Sequence, residues 1–253
     1  MKHLLLLLSL AAGCTAAAQK RPATGGLSAL QDSIWQWAAD NKATDPVANA
    51  IYASAVNEPD GVIDVHMIRA DTAMKARFRR RVHDSPLIRL EGFDPDTTPY
   101  PPAPEGTPPP DGLSMDAEYA FYPAETDCVR LTIRYRGDST VYFGTDYTVC
   151  RFQNGRWETL PGADAWNSLL IGIGRPQFPA PGDARQTKEY AYGFTARLAP
   201  RVYPSVYARY RICKNVYMEN PHRNYLLTAD FTVTPFVPFT RFAEPAEGQD
   251  IQF

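Results

Sequence analysis

Apolar and polar positions along the chain follow two different periods, and the change from one to the other divides the sequence. Leu27, Leu30, Ile34, Trp37 and Ala38 recur at helical spacing, which predicts a helix over 28–41 with Ser28 and Gln31 as a capping box. Two strand-like runs follow at 48–56 and 62–68, separated by the turn residues 57–61. Asp71 then stands where a helix cap belongs, ahead of the apolar stripe Met74, Phe78 and Val82, and Pro86 closes that helix before a strand at 87–90. The order helix, strand, strand, helix, strand predicts a small α+β module over 19–93, with its helices on one face of a sheet.

Beyond residue 112 the period is two. Val129, Leu131, Ile133 and Tyr135 alternate with Arg130, Thr132, Arg134 and Arg136, so one face of this strand is buried and the other wet. The strongest local signal lies in 142–160, where two runs of β-formers flank Asn154-Gly155, the pair best suited to the positive φ angles of a tight hairpin turn. With strands expected at 113–119, 187–197, 206–216 and 225–233, the pattern predicts a seven-stranded all-β sandwich over 112–234.

Proline separates the two patterns. The stretch 94–111 is too rich in it for helix or interior strand, and reads as an extended, semi-rigid linker. After the last strand, 235–242 is apolar and broken by Pro235 and Pro238, which predicts a tail (235–253) packed over the junction between the two domains.

The first residues change the picture of where such a protein works. Lys2 and His3 precede the short apolar run 4–12, the form of a secretory signal peptide over 1–18. Cleavage after Ala18 would release a soluble chain. The rival is Ala11-Ala12-Gly13-Cys14, which resembles a lipobox with Cys14 as the lipidated residue, although Ala11 stands where a larger aliphatic residue is usual. Either route predicts an exported protein, periplasmic, at the cell surface or extracellular. The full chain carries a formal charge of -2, so nothing electrostatic argues for nucleic acid. Cys128, Cys150 and Cys213 are too few for a disulfide-stapled scaffold, yet Cys150 and Cys213 fall on strands expected to be neighbours, where a bridge is conceivable.

Candidate chemistry is sparse. Lys75, Arg77, Arg79, Arg80 and Arg81 crowd one helix and could attract an anionic polymer, though a solvated helix face explains them as well. Asp64 and His66 share a strand face without further partners at metal-ligand spacing. His83-Asp84-Ser85 has the residue types of a hydrolytic triad, but adjacent residues cannot converge as a triad does. The glycines of 171–176 lack the third glycine and following helix of a phosphate cradle and read as a loop. Tyr190, Tyr192, Phe194, Tyr203, Tyr207, Tyr210 and Tyr217 could form a stacking platform, but alternation turns some of them into the core. No catalytic, cofactor-binding or metal-ligating residue is predicted, and no cofactor.

The motifs Phe143-Gly144-Thr145-Asp146-Tyr147, Asn154 to Pro161, Pro181-Gly182-Asp183 ahead of Tyr190, and Tyr210-Arg211-Ile212 resemble a bacterial immunoglobulin-like domain of secreted and surface proteins, over about 111–234. The resemblance implies an immunoglobulin-like sandwich without catalysis. It departs from the antibody pattern in lacking a cysteine pair around a core tryptophan. The expected function is binding or surface assembly, with an unknown protein or glycan of the cell envelope as partner, contacted through the loops 161–182 and 218–224. Membrane contact is expected only through a lipid at Cys14. In element order alone, the N-terminal module resembles the pro-segments of some secreted proteases, which gives the alternative of a protease inhibitor or chaperone. A glycan-active enzyme would need two converging carboxylates, which local spacing does not supply.

Overall fold

The computed structural model describes residues 24–162, 170–174, 189–199, 201–203 and 207–235. The expected leader with Cys14, most of the 161–182 loop and the tail beyond 235 lie outside the described residues. Helix α1 (Thr24–Asn41) buries Leu27, Ile34 and Ala38. It starts a turn before Ser28, so Ser28 and Gln31 are interior positions and form no capping box. Gln31 Nε2 instead donates to the carbonyl and hydroxyl oxygens of Ser54 at 3.0 and 2.9 Å.

The run expected as a strand at 48–56 is divided. Asp45 accepts the Val47 N–H at 2.8 Å, and Pro46 occupies the first turn, where its missing N–H costs nothing. These two residues start helix α2 (Pro46–Ala50), and strand β1 (Ile51–Asn57) begins only at Ile51. β1 pairs antiparallel with β2 (Val62–Arg69), which buries Ile63, Val65 and Met67. Asp71 caps helix α3 (Thr72–Arg81) by accepting the Met74 N–H at 2.7 Å. Burial of Phe78 on the inner face of α3 contributes about 2 kcal/mol. β3 (Ile88–Phe93) returns parallel to β2, giving the order β1-β2-β3.

The sandwich has ten strands rather than seven among the described residues: β4 (Leu113–Ala117), β5 (Phe121–Tyr122), β6 (Cys128–Arg136), β7 (Thr140–Phe143), β8 (Thr148–Gln153), β9 (Arg156–Leu160), β10 (Ile171–Gly174), β11 (Glu189–Arg197), β12 (Ala208–Met218) and β13 (Arg223–Val233). One sheet runs β11-β6-β4. The other runs β10-β7-β12-β13-β5, with the β8-β9 hairpin also laid on β12. β12 can serve both β7 and β8 because it is long: Tyr210–Cys213 pair with β8, and Tyr217–Met218 with β7. The hairpin turn forms as its residues dictate, with Asn154 at φ 52° and Gly155 at φ 78°. The run before it is not one strand, since Gly144 to Tyr147 leave the ladder between β7 and β8. Residues 171–174, expected as loop, form an edge strand against β7.

Val129, Leu131, Ile133 and Tyr135 of β6 face Ile212, Val216, Leu227, Ala229 and Phe231 of the larger sheet in a single apolar core. That buried cluster continues without a break into the α+β part, from Leu27 to Val233.

The proline-rich stretch is docked on the sandwich. Pro101 and Ala103 bond to the edge of β9, through Thr159 N–H to Pro101 carbonyl (2.7 Å) and Ala103 N–H to Trp157 carbonyl (3.1 Å). Four residues further on, the Thr107 carbonyl accepts the Leu226 N–H of β13 at 2.8 Å. The stretch therefore crosses the outer face of the larger sheet from one side to the other. Its missing N–H groups suit a segment that meets each strand edge at only a few points.

Candidate functional site

At one end of the larger sheet, Tyr142 and Tyr217 stand opposite each other on β7 and β12. Their rings stack at 6.5 Å between centroids, and the ring of His222 stacks on Tyr217 at 6.3 Å. The Tyr217 hydroxyl and His222 Nδ1 are hydrogen-bonded at 2.7 Å. His222 is exposed, and Tyr217 is 37% exposed. The three rings form a row with a polar tip.

Local sequence fixes this row. Asn220 N–H donates to the Ser139 hydroxyl at 2.9 Å, and Glu219 N–H to the Thr140 carbonyl at 3.0 Å, which ties the 219–222 turn to the start of β7. Gly172 of β10 faces Tyr142, and a side chain there would begin 3.1 Å from the ring. The glycine leaves room for the ring to lie over the sheet.

A second aromatic group lies along the same face. Trp157 packs edge-on to Phe152 at 5.3 Å, with the guanidinium of Arg209 over both rings and that of Arg211 over Trp157 at 4.3 Å. Asp230 accepts two bonds from Arg211, at 2.6 and 2.9 Å, and this contact raises the arginine's pKa above its ordinary value. The cations here are held by rings and a carboxylate.

Two cations are buried instead. Lys214 is 2% exposed on the inner face of β12, where its Nζ donates to the carbonyls of Gly144 and Asp146 and lies 5.4 and 5.2 Å from the rings of Phe143 and Phe194. Burial holds its pKa below the usual 10.5. Arg151 of β8, 4% exposed, stacks on Tyr100 at 5.6 Å, and its Nε has no hydrogen-bond partner among the described residues. Tyr100 in turn contacts Phe93 and Tyr203, and Arg69 lies over the Tyr203 ring at 5.9 Å. These residues join the α+β part to the sandwich, aided by Arg201 Nη1 on the Lys42 carbonyl at 3.3 Å.

The residues singled out from sequence fall largely into internal pairs. On the basic helix, Lys75 bonds Asp94 at 3.0 Å, Arg81 reaches Asp45 at 2.8 Å, and Arg79 reaches Asp84 at 3.3 Å. Asp64 is held by Arg89 through bonds of 2.7 and 2.9 Å, which keep its pKa below the ordinary value, and His66 lies 3.6 Å from Glu91. Ser85 accepts the Leu87 N–H, and 83–85 lie in the connection between α3 and β3. Among the described residues no cluster of three or more His, Cys, Asp or Glu could hold a metal ion.

Tyr190, Tyr192 and Phe194 line the inward face of β11, and Tyr203 and Tyr210 are buried, whereas Tyr207 and Tyr217 are exposed. Tyr217 and the 218–224 loop that carries His222 are among the sequence candidates, whereas Tyr142 and the stacking of the three rings are not.

This two-sheet sandwich is immunoglobulin-like. Residues 109–177 match the family model of a bacterial Ig-like domain, and the chain carries such a domain. The match spans β4 to β10; the strands β11 to β13 that complete both sheets lie beyond it. No curated protein matches the chain. Among solved structures, the structural-genomics target SoR45 is similar at 12% identity and a TM-score of 0.27, over 53% of this chain and 92% of that one. The periplasmic chaperone SfaE is similar at 12% identity and 0.28, over 50% and 60%. A family 123 glycoside hydrolase from Clostridium perfringens is similar at 11% identity and 0.23, over 50% and 28%. Likenesses of this strength define neither a site nor a function. No helix among the described residues is long and apolar enough to cross a membrane.

Proposed function

We propose that this is an exported, non-catalytic binding protein of the bacterial envelope, and that it holds a glycan on the Tyr142, Tyr217 and His222 row. The observation that carries the reading is the stack itself: three rings at an exposed sheet end, held by the Ser139 and Thr140 contacts, with a hydroxyl and an imidazole at the tip. Ring faces can pack against the C–H face of a sugar while the tip bonds its hydroxyls, a use of amphipathic aromatics common at binding surfaces. Export rests on the basic start and short apolar run of residues 2–12, and agrees with the Ig-like family match.

The test is retention of the full chain on immobilised envelope polysaccharide, with wild type compared against Tyr217→Ala and His222→Ala. Retention weakened by about tenfold in either variant, roughly 1.4 kcal/mol, supports the reading. Equal retention of all three sinks it, and cross-linking to an envelope protein in place of glycan retention replaces the glycan with a protein partner.

A further inference from the structure

We infer that Cys150 and Cys213 form an intramolecular disulfide when the chain meets an oxidising thiol–disulfide couple. Their sulfurs lie 3.9 Å apart. Cys150 is paired in register with Arg211 and Cys213 with Thr148, so the two cysteines sit diagonally on one face of neighbouring strands. Both are buried, at 0% and 2% exposure, in a small apolar cluster with Leu226, packed against Ala103 and Trp157. Among the described residues the third thiol, Cys128, lies apart from the pair, exposed at the start of β6 in the other sheet. A bond requires the sulfurs to close from 3.9 Å to about 2.05 Å, within the reach of side-chain rotation and a small strand adjustment.

The pair is also chemically divided. The Cys150 and Cys213 sulfurs are in contact, the Thr159 hydroxyl lies 3.8 Å from the Cys150 sulfur, and Arg211 is near, so the Cys150 thiol is pushed down and that of Cys213 up. Cys150 is thus the attacking thiolate. It displaces one thiol from an oxidant disulfide, such as oxidised glutathione or the disulfide of a dithiol oxidase, and forms a mixed disulfide. Cys213 then attacks the Cys150 sulfur and releases the second thiol. Two electrons pass to the oxidant, and its two leaving thiols take up the two protons.

The proline-rich strap decides when this happens. Ala103 lies over the pair, so an oxidant reaches the sulfurs before the strap docks or while it is lifted. Once formed, the bond fastens the β8-β9 hairpin to β12, and the strap that bonds to β9 is fastened with it.

The experiment uses the full chain with Cys14→Ser and Cys128→Ser, refolded in buffers of graded reduced-to-oxidised glutathione ratio and analysed by non-reducing peptide mapping after denaturing alkylation. The expected result is a linked peptide pair containing Cys150 and Cys213, two hydrogens lighter than the reduced pair, with a higher unfolding midpoint for the linked protein than for the reduced one. Recovery of both cysteines alkylated at the most oxidising ratio, or only linked dimers, overturns the inference. Neither outcome depends on export or on glycan binding, because the couple is supplied in vitro.

Discussion

The Nζ of Lys214 lies 2.7 Å from the main-chain carbonyl of Asp146, inside the sandwich and between two phenylalanine rings. With the second bond to Gly144, at 2.8 Å, it closes the loop that separates β7 from β8. Replacement by alanine leaves two carbonyls without a donor and opens a void. We expect Lys214→Ala to lose about 2–4 kcal/mol in denaturant unfolding. A loss under about 1 kcal/mol would mean that the loop holds itself.

The same lysine sets a pH dependence. Its folded pKa lies below its ordinary 10.5, so in that window the unfolded chain binds more protons than the folded one, and stability rises with pH. Wild type should therefore gain stability relative to Lys214→Met as pH rises from neutrality towards 10.5. Parallel pH profiles for the two proteins would contradict this.

Asp64 acts in the same direction at low pH. Arg89 holds its pKa below the ordinary 3.8, so its contribution is present above that value and is lost as pH falls through the depressed one. Arg89→Met should flatten the acid limb of the stability profile below about pH 4, read by thermal melts from pH 2 to 6.

Gly92 of β3 lies at φ 155° and faces Met67 across the parallel pair, where the ladder changes register. A Cβ at this position would collide with the Met67 carbonyl oxygen. Backbone atoms cannot rotate away as a side chain can, so Gly92→Ala is expected to cost about 2–4 kcal/mol and to lower the unfolding midpoint. An unchanged midpoint would mean that β3 moves without penalty.

Ala103→Asp tests the strap. It places a carboxylate against Cys150, Cys213 and Leu226, which an apolar cluster does not accommodate. In a Cys14→Ser background under reducing conditions, alkylation of the native protein should move from Cys128 alone to Cys128, Cys150 and Cys213. Continued protection of the pair would show that the strap does not cover it.

Where a residue's own chemistry decides the backbone, the sequence was readable. Asn154-Gly155 carries the positive φ angles its turn needs, and Asp71 caps the helix it precedes. β5 and β10 escape local reading, and β7 merges with β8 into one run, because they are short, at two, four and four residues, and gain their strand character from partners distant in sequence. Lys214 was missed for another reason. Tyr210, Ile212, Val216 and Met218 are buried on alternate positions of β12, and that alternation places Lys214 inward with them, but a lysine is ordinarily read as a surface residue. The aromatic row was beyond local reading, since Tyr142 and His222 are brought together only when β7 pairs with β12.

The strap imposes an order of assembly. Pro101 and Ala103 bond to β9, and Thr107 waits for Leu226, which is made near the far end of the chain. A ribosome or a translocation channel that delivers the N-terminus first releases this segment long before its seat exists. The α+β part can draw its own three strands together early. Its connection to the rest is completed only after β13 arrives, so the middle of the chain is the last to close.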